Sequence, residues 1–390
     1  MDERMPMMDG PPDAHVRIDG ERYLYFGGTS YLGLHAREEP IEAGCRALRT
    51  FGLHTATTRT GFGNSEPVIT LEREAAGYFE TEAAVCLPSG YLTATAMLKT
   101  IASRFDVLLI DGGSHYAVTD AARMTDLPAR YFPTCDPTAL DRELAELSTQ
   151  TRPLLLTDGL FPMGKIAPLE AYRQRLSPFV GAAMLIDDAH GFGTLGEHGW
   201  GTVEHLALAD AVNQDDPPAD RPALYVGGTL SKALGGYGGL IAGEAAFIDR
   251  LRRHSQIFAG ASALPSGVAA ASAEALRIAR DEPELRKQLH RNVKHLRSGL
   301  AELGVEVDAA SPAPIVTIEL QAAEAMREIH DALRRQGIIV PYIPVYSGLG
   351  SAGALRVAVF ATHTTEMIDR LLGELRKVRE VGGWRAAIAR

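Results

Sequence analysis

The sequence predicts an α/β protein in which a mostly parallel, helix-covered sheet forms a large domain and a smaller α+β domain follows at the C-terminal end. Two observations carry this. Short, continuously apolar runs ("AAVCLP", "VLLID", "RPLLLTDG", "AAMLIDDAH" and "ALYVGG") are separated by segments of helical periodicity, and strands that are apolar on both faces belong in sheets buried on both sides. Beyond "ASALPSG" the order changes to a long helical stretch, then paired strand patterns and a closing helix. The 390-residue length suits two or three structural units. We expect an N-terminal arm over 1–40, a large domain over 41–265 and a small domain over 266–390.

Taken in order, "HVRIDGERYLYFGG" reads as two short strands around Asp19-Gly20, residues that tolerate the positive φ of a tight hairpin turn. Pro40 opens a helix in which Ile41, Cys45 and Leu48 share a face. After the polar loop "TATTRTGFGNSE", Val68, Leu71, Ala75 and Tyr78 recur at helical spacing. Strand and helix then alternate: "AAVCLP", the helix "YLTATAMLKTIAS", "VLLID", "RPLLLTDG", the helix "EAYRQRL", "AAMLIDDAH" and "ALYVGG". The acidic, proline-bearing "ADAVNQDDPPADRP" reads as a surface loop. In the last third, helical periodicity runs to Leu303, followed by the strand "PAPIVTIEL", a helix from Met326 to Leu333, the strands "GIIVPYI" and "ALRVAVF", and a helix with Ile368, Leu371, Leu375 and Val378 on one face.

Composition excludes several function classes. Forty-nine acidic against 39 basic residues, a formal charge of −10, argue against a general nucleic-acid binder. Three scattered cysteines form neither a disulfide framework nor a CxxC pair, which suits a reducing compartment. The N-terminus lacks a basic region followed by an apolar core, and no apolar run approaches the ~20 residues that span a bilayer. A cytoplasmic, soluble protein is expected, with no membrane partner. Asp187, Asp188 and His190 are close in sequence, but no HExxH or second histidine cluster completes a metal site.

The chemistry-bearing stretch is "GTLSKALGGYGG", residues 228–239. A phosphate loop requires GxxxxGK[ST], whereas Ser231 precedes Lys232 and Ala233 follows it, so that reading fails on residue order. No GxGxxG joins a strand to a helix in a dinucleotide-binding unit either. A solvated lysine in a glycine-rich loop is the plain alternative. Against it stands "LIDDAH", which places Asp187, Asp188 and His190 at the carboxyl end of an apolar strand, where α/β folds bind ligands. One cofactor accounts for these pieces together. Pyridoxal 5′-phosphate needs a Schiff-base amine, a carboxylate at its pyridine nitrogen, a donor at its phenolic oxygen, a group stacked on its ring and a phosphate cup. Lys232, Asp187, His190, His115 and the "PSGY" turn can supply them, with Ser89, Gly90 and Tyr91 offering amides at a helix N-terminus and Thr229 a hydroxyl.

These residues resemble the α-oxoamine synthase family of fold-type I pyridoxal phosphate enzymes. The likeness runs from "YLGL" at Tyr31 to the C-terminal "RLL" and is strongest in "DDAHGFGTLGEHGWG" and "GTLSKALGGYGG". It implies the fold-type I seven-stranded sheet and an acyltransferase that condenses an amino acid with an acyl thioester, from coenzyme A or a carrier protein, with decarboxylation to an α-amino ketone. It further implies that Lys232 forms the Schiff base, Asp187 contacts the pyridine nitrogen, His190 bonds the phenolic oxygen and His115 stacks on the ring. Ser89, Gly90, Tyr91 and Thr229 would hold the phosphate. Ser262 would reach a partner subunit's site in a homodimer, and Arg356 would bind the amino-acid carboxylate, a task suited to a bidentate fork. The chain departs from the family pattern at Ser30, Val68, Ala94 and Pro162, and "MDG" is replaced by Met163-Gly164-Lys165. The departures lie on the substrate side, so the acyl donor is left open. Transamination or amino-acid decarboxylation on the same cofactor, and a non-catalytic binding protein of this fold, are the other readings.

Overall fold

The computed structural model describes residues 5–380 except 211, 219 and 321. The start of the arm, the end of the small domain and two positions of the acidic loop therefore lie outside the described residues. The arm folds as the expected hairpin: β1 (His15–Ile18) pairs antiparallel with β2 (Glu21–Tyr25), Ile18 opposite Glu21. Asp19 and Gly20 have φ of 50° and 84°, the two positive values that match a two-residue turn to the twist of its strands.

Helices α1 (Glu38–Phe51) and α2 (Glu66–Tyr78) follow. In α2 the periodic residues Val68, Leu71, Ala75 and Tyr78 are all buried, each large side chain contributing roughly 1.5–3 kcal/mol of burial. In α1 the outcome differs: Ile41 and Leu48 are exposed, so the face they share does not enter the core of this chain.

Next come β3 (Ala83–Leu87), α3 (Thr93–Ile101), β4 (Val107–Asp111), α4 (Tyr116–Arg123), β5 (Ala129–Phe132), α5 (Pro137–Ala145), β6 (Pro153–Asp158), α6 (Leu169–Leu176), β7 (Ala183–Asp187), α7 (Thr202–His205), β8 (Ala223–Thr229) and β9 (Gly239–Gly243). Seven strands form one sheet in the order β3-β9-β8-β7-β6-β4-β5. β4 to β8 run parallel, whereas β9 is antiparallel to both β8 and β3. Every residue of β4, β6, β7 and β8 is buried, as covered faces require. The edge strand β5, "ARYF", is half exposed. From β4 the chain steps outward to β5 and then returns to the other side of β4 as β6. The reversal leaves a crevice between the carboxyl ends of β4 and β6, the place where open α/β sheets bind ligands.

Helices α8 (Ala245–His254) and α9 (Gln256–Gly260) lead to α10 (Ser266–Asp281) and α11 (Glu284–Glu302). The single helical stretch expected here is thus two helices, divided at Glu282-Pro283, because proline has no N–H for a helix interior. α10 packs against α1 and α2. The remainder comprises β10 (Ile315–Ile318), α12 (Ala323–Arg335), β11 (Ile338–Ile339), β12 (Tyr342–Ile343), β13 (Ala354–Ala358) and α13 (Thr365–Val378). The expected strand "GIIVPYI" is split near Pro341: β11 joins β2 of the arm in parallel, while β12 pairs with β13, which also holds β10. This split ties the arm to the small domain beside the main sheet.

Candidate active site

The site grows from strand ends. Asp158 closes β6 and Asp187 closes β7, opposite one another in register. Thr229 ends β8, and the turn after it brings Lys232 back over the same sheet edge. A cavity of about 300 Å³ lies there, lined by Ser89, Gly90, Tyr91, His115, Asp158, Asp187, His190, Thr229 and Lys232 among others. Eight of the ten residues singled out in the sequence thus meet around one space; Arg356 and Ser262 do not line it.

Electrostatics at its floor are unusual. Two buried carboxylates sit side by side, and burial raises both above the usual carboxylate range. Asp158 is raised well above it, with the adjacent Asp187 adding to the shift. Asp187 is drawn back by Lys232 and His115 and accepts the Ala189 N–H at 3.1 Å. The Lys232 amine is pushed down to about 8 by burial, against the attraction of Asp187 and Asp158. A lysine in that range holds a substantial neutral fraction near neutral pH and is therefore a nucleophile.

One end of the cavity is made of backbone and hydroxyls. Ser89 precedes a single tight turn, Gly90–Leu92, that runs into α3, and its Oγ accepts the Tyr91 N–H at 3.2 Å. Thr229 Oγ1 donates to the Gly238 carbonyl at 2.8 Å and lies 2.7 Å from Ser231 Oγ. A Cβ on Gly90 would come within 2.5 Å of that Thr229 oxygen, so only glycine lets the turn approach β8 this closely.

Two histidines complete the lining. His115 follows β4 across the crevice; its backbone N–H donates to both Asp158 carboxylate oxygens, at 3.1 and 3.3 Å. Its Nδ1 accepts the Ala117 N–H at 3.1 Å, fixing the ring at the start of α4. Burial lowers its pKa, and Lys232 adds to the lowering while Asp187 opposes it. His190 is buried and held well below the usual histidine range by burial, with Lys232 and Arg356 adding repulsion. Its Nδ1 lies 2.8 Å from Tyr31 Oη.

Arg356 stands behind that tyrosine. From β13 it donates through Nε to the Pro162 carbonyl at 2.8 Å, through Nη1 to the Gly28 carbonyl at 3.1 Å and through Nη2 to Tyr31 Oη at 3.3 Å. Carbonyls and a hydroxyl, with no carboxylate, are its partners among the described residues, leaving N–H groups available for an anion. Ser262 lies elsewhere, bridged to Thr58.

Asp188 points away from the cavity. Its carboxylate accepts the Thr202 N–H at 2.5 Å and the Thr202 hydroxyl at 2.7 Å. Gly159, Gly191 and Gly201 crowd it so closely that a Cβ on any of them would lie within 2.4 Å of its oxygens. It organises the loop after β7, the structural role its position in "LIDDAH" allows.

Sequence reasoning missed Asp158 and Tyr31 as site residues. Asp158 had a readable signal: "LLLTD" ends in aspartate as "MLID" does, and parallel neighbours in register place both at the same edge. Tyr31 had none in spacing, since it lies 159 residues from the histidine it bonds. A second cavity, of about 950 Å³, opens along Phe161–Lys165 and is lined also by Gly113, Thr317 and Gly348. The "MDG" departure therefore borders a space large enough for an extended substrate. Among the described residues there is no cluster of His, Cys, Asp and Glu that could hold a metal ion, and no helix long and apolar enough to cross a membrane.

The donor set fits pyridoxal phosphate. It has a near-neutral amine, a buried carboxylate beside it, a neutral buried histidine and a glycine-permitted turn facing a threonine hydroxyl. Comparison with known proteins agrees. The aminotransferase class I and II family model matches residues 24–375. The chain is 32% identical to 8-amino-7-oxononanoate synthase 1 of Bacillus velezensis over 376 residues, covering 96% of this chain and 93% of that protein. It is 32% identical to 8-amino-7-oxononanoate synthase of Methylococcus capsulatus over 370 residues, covering 95% and 92% respectively. Among solved structures, serine palmitoyltransferase of Sphingomonas wittichii superposes with a TM-score of 0.87 at 26% identity, covering 97% of this chain and 92% of that one. On the family model, these relatives and the cofactor-fitting strand-end site, the chain belongs to the class I and II aminotransferase family, in its α-oxoamine synthase branch of pyridoxal phosphate enzymes.

Proposed function

We propose that the chain is a pyridoxal phosphate-dependent C-acyltransferase that condenses an amino acid with an acyl thioester, releasing the thiol and carbon dioxide and leaving an α-amino ketone. The observation that carries this reading is the convergence of Lys232, Asp187, His190 and His115 on one cavity closed at one end by the Ser89–Tyr91 turn and Thr229. When bound, the cofactor supplies an electron sink for negative charge at the amino acid's Cα.

The chain's own groups supply the rest. Lys232 is the attachment amine and, when free, the base placed to take the Cα proton, a role its lowered pKa suits. Asp187 would keep a proton on the ring nitrogen, as a carboxylate buried beside a cation can without competition from water. His190 would donate to the phenolic oxygen. His115, clamped by Ala117 and Asp158, would cover one face of the ring. Ser89, Gly90, Tyr91 and Thr229 would hold the phosphate through N–H and hydroxyl groups. Arg356 uses its remaining N–H groups for the substrate carboxylate.

A homodimer completes the site in this reading. Ser262 and Thr58 bridge each other near Phe62, which is 100% exposed, and Ile41, Leu48, Phe51 and Leu53 are also exposed. These exposed apolar side chains support an interface on this face, and Ser262 would reach the partner's cavity from it. Phe62→Asp is expected to yield monomers by analytical ultracentrifugation; an unaltered dimer would place the interface elsewhere. The division into arm 1–40, large domain 41–265 and small domain 266–390, and a cytoplasmic location, belong to the same proposal.

The catalytic test incubates purified protein with single amino acids and a panel of acyl thioesters, following thiol release and product mass. Thiol release dependent on one amino acid, with a product lacking the carboxyl carbon, is the expected result. Keto acid formation without thiol release would replace condensation by transamination.

A further inference from the structure

We infer that Tyr31 is a positioning residue that fixes the tautomer of His190, and that it does so under the control of Arg356. Hydrogen-bond direction fixes the tautomer. Arginine can only donate, so the Arg356 Nη2 contact at 3.3 Å makes Tyr31 Oη an acceptor on that side. The one phenolic proton is then left for the other neighbour, His190 Nδ1, at 2.8 Å. Tyr31 is buried, and burial raises its pKa, so that proton stays in place. With Nδ1 occupied as an acceptor, the neutral imidazole carries its proton on Nε2, the nitrogen left for the cavity that His190 lines.

The consequence concerns both ends of the chain of bonds. The cavity receives a fixed N–H donor rather than a ring free to present a lone pair. The guanidinium that directs the tyrosine proton is the group assigned to the substrate carboxylate, so recognition of substrate and the donor at the cofactor share one linkage. This second point rests on the function proposed above; the tautomer itself follows from the protein's own atoms.

The test uses the full chain labelled with 15N-histidine, with and without added pyridoxal phosphate, read by long-range proton–nitrogen correlation. His190→Gln assigns the signal. Wild-type protein is expected to show His190 with its proton on Nε2 in both states. Without cofactor, Tyr31→Phe and Arg356→Met are each expected to mix the two tautomers, the second because Tyr31 can then turn and accept. A wild-type proton on Nδ1, or an unmixed Nε2–H form in both variants, would overturn the inference. Steady-state kinetics separate positioning from binding: Tyr31→Phe should lower kcat with little change in amino-acid KM, whereas Arg356→Met should raise KM. An equal rise in KM for Tyr31→Phe would make Tyr31 a binding residue and also overturn it. If borohydride traps no lysine adduct in wild-type protein, the proposed function fails while the cofactor-free tautomer measurement still stands.

Discussion

The floor of the site and its rim are built by different rules. The floor (Asp158, Asp187, Thr229 and Lys232) comes from the ends of neighbouring strands and the turn after one of them, in a fully buried sheet. The rim comes from the arm, the 161–165 turn and β13, segments that lie far apart in the chain and meet only through contacts such as Arg356 to Gly28 and Pro162. Asp187, Thr229 and Lys232 of the floor match the pattern of the family the sequence resembles; of the departures, Ser30, Pro162 and Met163-Gly164-Lys165 fall on the rim, while Val68 and Ala94 are buried in α2 and α3. A parallel sheet fixes its strand ends to within the register, so chemistry placed there tolerates little change. Loops that converge on the same space can vary in order to alter what is bound.

The most severe way to break this contrast is to remove the amine from the floor. Lys232→Ala is expected to abolish the borohydride-trappable adduct and condensation activity, with the fold retained by circular dichroism. An adduct persisting on another lysine would move the site. In wild-type protein without cofactor, the attachment rate should rise with pH through about 8 and then level, because the amine loses its proton there rather than near 10.5. Below that pH the protonated amine is held beside Asp187 and Asp158 and cannot attack. A midpoint above 10 would show an ordinary, solvated lysine.

A smaller break targets the phosphate end. Gly90→Ala would drive a methyl group to 2.5 Å from Thr229 Oγ1, so the turn must move away from β8. Overpacking of this kind costs about 1–3 kcal/mol, which corresponds to cofactor binding roughly 5- to 150-fold weaker in a fluorescence titration. Unchanged cofactor affinity would show that this turn is not the phosphate cup.

The same contrast explains what the sequence disclosed. β4, β6, β7 and β8 were legible because both faces of each are buried and the apolar runs are unbroken. β5 was not, since its half-exposed "ARYF" has no such run, and β9 was hidden in the glycine-flanked "GLIAG" that follows directly from the lysine motif. The exposed face of α1 shows the limit of periodicity: Ile41 and Leu48 share a stripe, but the pattern does not say whether this chain or another covers it. Within the site, residues carried in short motifs were found, whereas Tyr31 acquires its meaning only when the arm is laid against β7 and β13. Asp158 falls between, visible only once register pairs it with Asp187.

The mildest prediction lies on the rim. Lys165 is exposed and borders the cavity of about 950 Å³ together with Met163 and Gly164. If an acyl thioester carrying phosphates passes along this cavity, the ammonium attracts it through solvent. Such an attraction is worth about 1 kcal/mol or less and weakens with salt. Lys165→Glu should therefore raise the KM for an acyl-coenzyme A about three- to tenfold at low ionic strength, and the difference should shrink as salt is added. The amino-acid KM and the absorbance of the bound cofactor should not move, because Lys165 does not line the cavity that holds Asp187 and Lys232. A change in the cofactor band would mean that the turn transmits strain to Arg356 through the Pro162 carbonyl, which ties the rim to the floor more closely than the sheet geometry alone requires.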